Sequence, residues 1–145
     1  MATSNFKKIL VPLDGSKNAS RAFDKALQIA KQCKSGLTAI SVLPFPAVQT
    51  YQPDRIAKEK MYDEAKKLLE SAKSIATKKG IFLQSKILEG SHPGSVVVAF
   101  SKKGNGKFDL IIIGSRGRSG LKEKLLGSTS NYVMHKSDIP VMVVK

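Results

Sequence analysis

Short apolar runs alternate along this chain with segments of helical period, and no other feature constrains its fold as much. Lys8-Ile9-Leu10-Val11 ends at Pro12, with Asp14-Gly15-Ser16 behind it, which reads as a buried strand followed by a turn. Ala19, Ala22, Phe23, Ala26, Ala30 and Cys33 come next. Their spacing places them on one face of a helix, with Ser16 as its N-cap and Gly36 as its stop. Leu37 to Leu43 is a second strand, ended by Pro44 and Pro46. Asp54 caps a long helix whose apolar face is Met61, Ala65, Leu68, Leu69, Ala72, Ile75 and Ala76, and Gly80 ends it. Ile81 to Leu88 alternates loosely, as a third strand does. Pro93 suits the first turn of a third helix, running to Lys103. Val96-Val97-Val98 is β-branched and would by periodicity alone allow a strand, but the order of elements favours a helix. Asp109 to Ile113 is a fourth strand, continuously apolar from Leu110 and closed by Gly114. Leu121, Leu125 and Leu126 suggest a helical turn. A last helix runs from Ser128 to Lys136, and Pro140 introduces a final strand, Val141 to Val144.

The resulting order, βαβαβαβαβ, predicts an α/β domain: a doubly wound, five-stranded parallel sheet with right-handed crossovers and helices on both faces. Fully apolar strands suit a sheet covered on both sides. At 145 residues the chain has the length of a single domain, residues 1–145. With 41% apolar and 25% charged residues it is neither disordered nor collagen-like. Its longest strictly apolar run, Val96 to Phe100, is far short of the ~20 residues of a spanning helix. The polar N-terminus has no signal-like apolar stretch. A lone cysteine, Cys33, excludes an internal disulfide, a CxxC redox pair and a cysteine zinc site, and favours a cytoplasmic location.

In sheets of this kind ligands bind beyond the carboxyl ends of the strands, where the strand order reverses. The segments concerned are Pro12–Ser16, Val42–Pro46 and Gly114–Thr129. In the last, Gly114-Ser115-Arg116-Gly117 is followed by nine residues and then Gly127-Ser128-Thr129. Gly114 allows a sharp turn out of the strand, and Gly117 allows close backbone approach to a ligand. Gly127-Ser128-Thr129 lies where a helix begins, and free N–H groups there bind anions. Ser128 and Thr129 add hydroxyls; Arg116, Arg118, Lys122 and Lys124 add positive charge. The alternative is a solvated loop with turn glycines. Asp14 has two readings as well: a ligand for ribose hydroxyls or a metal's water shell, or an Asx-turn or helix cap beside Gly15.

The Gly-x2-Gly-x9-Gly-Ser pattern lies between a hydrophobic strand and a helix leading to Pro140-Val141-Met142-Val143-Val144. It resembles the ATP-binding signature of the universal stress protein family. Ile9 to Ser16 is similar to that family's first strand and loop, and Ser41-Val42 to its second strand. The resemblance covers essentially the whole chain. It implies a Rossmann-like fold with sheet order 3-2-1-4-5, ATP as ligand with magnesium or manganese, and a homodimer formed along Val141–Val144. Carried onto this sequence, it implies that Pro12 and Asp14 lie at the ribose or metal–phosphate region and that Val42 presents its backbone to adenine. It also implies that Gly114, Gly117, Gly127, Ser128 and Thr129 hold ribose and phosphates, with Arg116 inside the loop. No metal ligand is implied directly; the cation would ride on the phosphates near Asp14.

No GxxxxGK[ST], GxGxxG after the first strand, or GxSxG elbow is present, nor a His/Cys cluster of metal-ligand spacing. No general base is evident, so any ATP hydrolysis is expected to be slow. A regulatory nucleotide-binding protein with a client partner is therefore the leading expectation. The net charge of +14 keeps a basic nucleic-acid-binding protein as the alternative, although aromatics are few and the basic residues are spread along the chain. His92, before Pro93, reads as a poor cap or a surface residue. His135 suits the end of the last helix, Cys33 reads as buried, and Lys102, Lys103 and Lys107 as a solvated rim. Val141–Val144 is an apolar edge that needs a partner.

Overall fold

The computed structural model describes residues 6–45, 54–103, 107–116 and 126–145. In it β1 (Lys8–Pro12), α1 (Lys17–Cys33), β2 (Gly36–Leu43), α2 (Arg55–Lys78), β3 (Leu83–Glu89), α3 (Pro93–Ser101), β4 (Leu110–Gly114), α4 (Ser128–Lys136) and β5 (Val141–Val144) follow one another. All strand pairs are parallel, as the alternation of elements predicts, and the sheet order is β3-β2-β1-β4-β5, as the family resemblance implies. The chain winds outward from β1 to β3, then returns to the other side of β1 for β4 and β5. The order therefore reverses between β1 and β4, and a crevice opens there at the carboxyl ends of the strands.

Period-two alternation sends successive strand residues to opposite faces. Ile9, Val11, Leu37, Ala39 and Ile112 pack beneath α1 and α2. Leu10, Ile40, Ile111 and Ile113 pack with Val97 of α3 and Val133 of α4. The valine run before Phe100 is helical because Pro93 starts the helix and Val97 and Val98 are buried on the sheet.

The predicted caps form. Ser16 Oγ accepts from the Ala19 N–H at 3.1 Å, and Asp54 Oδ1 from the Ala57 N–H at 2.7 Å. Four local expectations are corrected. α1 is closed by Lys34, in the left-handed region at φ 54°. Gly36 already belongs to β2, where its N–H donates to the Lys7 carbonyl at 2.7 Å. Cys33 is only partly buried; the expected face omits Leu27, which is in the core. On α2 the buried arc is narrower than its apolar stripe: Ala65, Leu69, Ala72 and Ala76 carry it, and Ile75 is 39% exposed. His92 is a working N-cap, its Nδ1 accepting from the Ser95 N–H at 3.3 Å, with its ring edge-on to Tyr132. The helical turn expected around Leu121 and Leu125 lies outside the described residues, and Leu126 is not helical.

Candidate functional site

A cavity of about 390 Å³ occupies the reversal point, within the usual range for small-molecule sites. The end of β1 supplies Pro12, the loop after it Asp14, and β2 supplies Val42. Gly114 and Arg116 come from the end of β4, and Gly127, Ser128 and Thr129 from the start of α4. The structure thus brings together all the sequence-predicted residues except Gly117, which lies outside the described residues.

Each segment presents specific chemistry. Asp14 is exposed, and its Oδ1 accepts the Ser16 N–H at 2.9 Å. The Asx-turn therefore exists, and it aims the rest of the carboxylate rather than consuming it. Val42 is placed by the ladder. The Ile40 carbonyl accepts from the Leu13 N–H at 2.7 Å, and the Leu43 carbonyl from Gly90 on the opposite side at 3.0 Å. By alternation the Val42 N–H and C=O face β1, but β1 has ended at Pro12. These backbone groups accordingly border the cavity. The N-cap of α4 is Gly127, which has no side chain to cap it, so the first N–H groups of the helix, which lack intrahelical partners, are presented to the cavity with the helix dipole behind them.

Gly114 serves a different purpose from the one its sequence position suggests. Its φ is not among the positive values. A Cβ there would stand 2.7 Å from the Asn18 carbonyl carbon and 2.8 Å from the Ala19 nitrogen. Glycine is needed because the first turn of α1 lies directly on the end of β4.

A buried polar network that the sequence reading missed holds this arrangement. Asn18 Nδ2 donates to Ser115 Oγ at 3.1 Å, and Asn18 Oδ1 accepts from Arg21 Nη1 at 3.0 Å. The Ser115 carbonyl accepts twice, from the Gly127 N–H at 2.7 Å and from Ser130 Oγ at 2.7 Å. The Ser115 N–H donates to the Val144 carbonyl at 2.8 Å. One residue thus ties the end of β4 to α1, α4 and β5, and closes the base of the glycine loop. The sequence signal was a serine inside the glycine motif, Ser115, and another directly after it, Ser130; their pairing is tertiary.

Among the described residues no group of three or more His, Cys, Asp or Glu side chains is placed to hold a metal, and no helix is long and apolar enough to cross a membrane. A cation that arrives on phosphates still fits. Magnesium takes oxygen ligands and is commonly held by one or two carboxylates together with substrate phosphates, and Asp14 is such a carboxylate at the cavity.

Comparison with known proteins agrees with this geometry. The model of the universal stress protein family matches residues 5–145. A universal stress protein of Methanocaldococcus jannaschii is 34% identical, with 97% of this chain and 82% of that protein aligned. The solved UspA of Lactobacillus plantarum superposes with a TM-score of 0.80 at 25% identity, over 96% of this chain and 97% of that one. A universal stress protein solved in complex with cAMP superposes at 0.74 with 26% identity, over 98% and 99% of the two chains. By sequence and by architecture, this chain belongs to the universal stress protein family.

Proposed function

We propose that this chain is an ATP-binding member of its family: a cytoplasmic regulatory protein that takes ATP with magnesium or manganese into the cleft between β1 and β4. The observation that carries this reading is the convergence of an uncapped helix start, the open backbone edge of Val42 and the Asp14 carboxylate on one cavity. These are a phosphate donor set, an edge for a flat heterocycle, and an oxygen ligand for ribose or a cation's water shell. The cAMP complex of a relative supports the adenine and phosphate parts of the assignment. Asp14 is the one carboxylate among the described lining residues, which favours ATP as a slowly turned-over ligand. Occupancy would act through the glycine loop and the edge strand β5, both tied to Ser115, and so on a homodimer or a client protein.

The test is nucleotide content in freshly purified protein, followed by calorimetry of ATP with Mg²⁺ on wild type and Gly127→Asp. Gly127 has φ −67° and ψ 163°, ordinary for any residue, and aspartate is itself a good N-cap. The variant should fold, occupy the helix N–H groups with its own carboxylate, and lose ATP. Wild-type protein that neither retains nor binds adenine nucleotide would overturn the reading.

A further inference from the structure

We propose that the edge of the sheet opposite the cavity binds single-stranded nucleic acid. In the sequence the basic residues are scattered, but a parallel sheet delivers every helix-to-strand connection to the same edge, the amino ends of the strands. Bonds at that edge show the connections side by side. The Gly36 N–H donates to Lys7, the Asp109 N–H to Lys8 at 2.8 Å, and the Ile111 N–H to Pro140 at 3.0 Å. Four strand spacings of about 4.8 Å make this row roughly 19 Å long.

The row is cationic. Lys34 closes α1 and is exposed. Lys79 closes α2 and is exposed. Lys103 and Lys107 lead from α3 into β4 and are exposed, as is Lys7 before β1. Compensation of helix dipoles explains lysines in the last helical turns, such as Lys31, Lys78 and Lys136. It also favours Lys34 and Lys79 at the C-caps of α1 and α2, but not Lys7 and Lys107, which stand at no helix end. The described acids of this edge are Asp109 and Asp138, and both are engaged. Asp109 Oδ2 accepts the Lys7 and Lys8 N–H groups at 2.7 and 2.9 Å, and Asp138 Oδ2 pairs with Lys102 at 3.0 Å. The surplus positive potential at this edge suits a polyanion.

One side chain selects the class of polyanion. Phe82, between Lys79 and β3, is 75% exposed. A lone exposed aromatic ring in a cationic row is a platform for an unpaired base. A membrane surface would call for a broader apolar face, whereas among the described residues the other exposed large apolar side chains, Ile56, Ile75 and Met134, lie within helices and not in the connections of this row.

The experiment is fluorescence anisotropy of a labelled oligothymidylate of about twenty nucleotides, longer than a typical site size of about 4–16, with saturating ATP and Mg²⁺ and without. With about four phosphate contacts, affinity should fall roughly 50-fold between about 50 and about 200 mM salt. Lys79→Glu with Lys103→Glu should weaken binding at least ten-fold. Lys60→Glu with Lys67→Glu, an equal charge change on the exposed side of α2, should weaken it less than three-fold. Phe82→Ala should cost about five-fold or more. Circular dichroism confirms that each variant is folded. No binding at low salt, equal loss in both lysine pairs, or displacement by ATP would overturn the proposal. So would edge-dependent binding to vesicles containing phosphatidylserine without binding to the oligonucleotide. The ATP arm separates this site from the cavity, so failure of either reading leaves the other standing.

Discussion

Gly114→Ala tests the claim that the site rests on backbone contact between α1 and β4. A Cβ at this position would meet the Asn18 carbonyl carbon at 2.7 Å, the Ala19 nitrogen at 2.8 Å and the Asn18 oxygen at 2.9 Å. None of these atoms can rotate away, because all belong to the first turn of a helix whose Asn18 side chain is hydrogen-bonded to Ser115. Overpacking of a core costs about 1–3 kcal/mol, and a rigid obstacle puts this site at the upper end. The reduced freedom of the unfolded chain returns about 0.4–1 kcal/mol, so the net loss is about 2 kcal/mol. For a chain of this size that corresponds to a fall of roughly 4–8 °C in Tm. Gly36→Ala is the control. Its Cβ would meet only the Lys7 carbonyl oxygen at 3.7 Å, an ordinary van der Waals contact, so the loss should stay within about 1 kcal/mol. Thermal and urea unfolding followed by circular dichroism measure both. If Gly114→Ala melts within about 1 °C of wild type, or Gly36→Ala loses as much, the reading of Gly114 as a close-packing glycine is wrong.

Burial, and then the hydrogen bond and charge of Glu89, raise the Tyr62 pKa above 10.0. The folded state therefore holds this proton more tightly than the unfolded state, and the contribution to stability is present below pH 10 and lost as the pH rises toward the folded value. Absorbance titration should show a late-ionising tyrosine that moves earlier in Glu89→Gln; an unchanged titration would contradict the assignment. Ser130→Ala removes a buried hydroxyl from the Ser115 and Gly127 carbonyls, and should cost about 1–2 kcal/mol and weaken ATP more than adenosine, as compared by calorimetry; equal weakening of both would argue against a role in placing the phosphate-facing turn. The Pro140 carbonyl, just before β5, accepts from Ile111 of β4, and the Val144 carbonyl accepts from Ser115 directly after β4, so the Val143 N–H points outward. Val143→Pro should then convert a dimer to a monomer in light scattering while leaving the melting of the monomer nearly unchanged, and a wild type that is monomeric at high concentration would refute pairing through this edge.

The legible parts of the fold were those written in local pattern. The bounds of α4 and β5 could be read from Ser128, Lys136, Pro140 and the closing apolar run. The caps at Ser16 and Asp54 follow from residue type beside a helical period. The glycine motif marked the cavity because its residues are close in sequence to the helix start they serve. Where pattern is ambiguous, reading falters. Gly36 looked like a helix stop, but the left-handed position fell to Lys34, because Gly36 was already committed to pairing beside Lys7. Ile75 fits the α2 stripe, yet how much of a stripe is buried depends on the surface beneath it. His92 looked like a weak cap, and whether a histidine caps depends on where its ring rests, here against Tyr132.

Sequence alone determined the order of elements, the parallel winding that this order implies, and the three segments that meet at the strand ends. Apolar period and chain connectivity are properties of neighbours along the chain. Only the tertiary structure decided why Gly114 must be glycine, how Ser115 joins four elements, and that lysines scattered through the sequence stand along one edge. Those facts depend on which backbones come within a few ångströms of one another, and a parallel sheet sets that by stacking segments that are far apart in the chain.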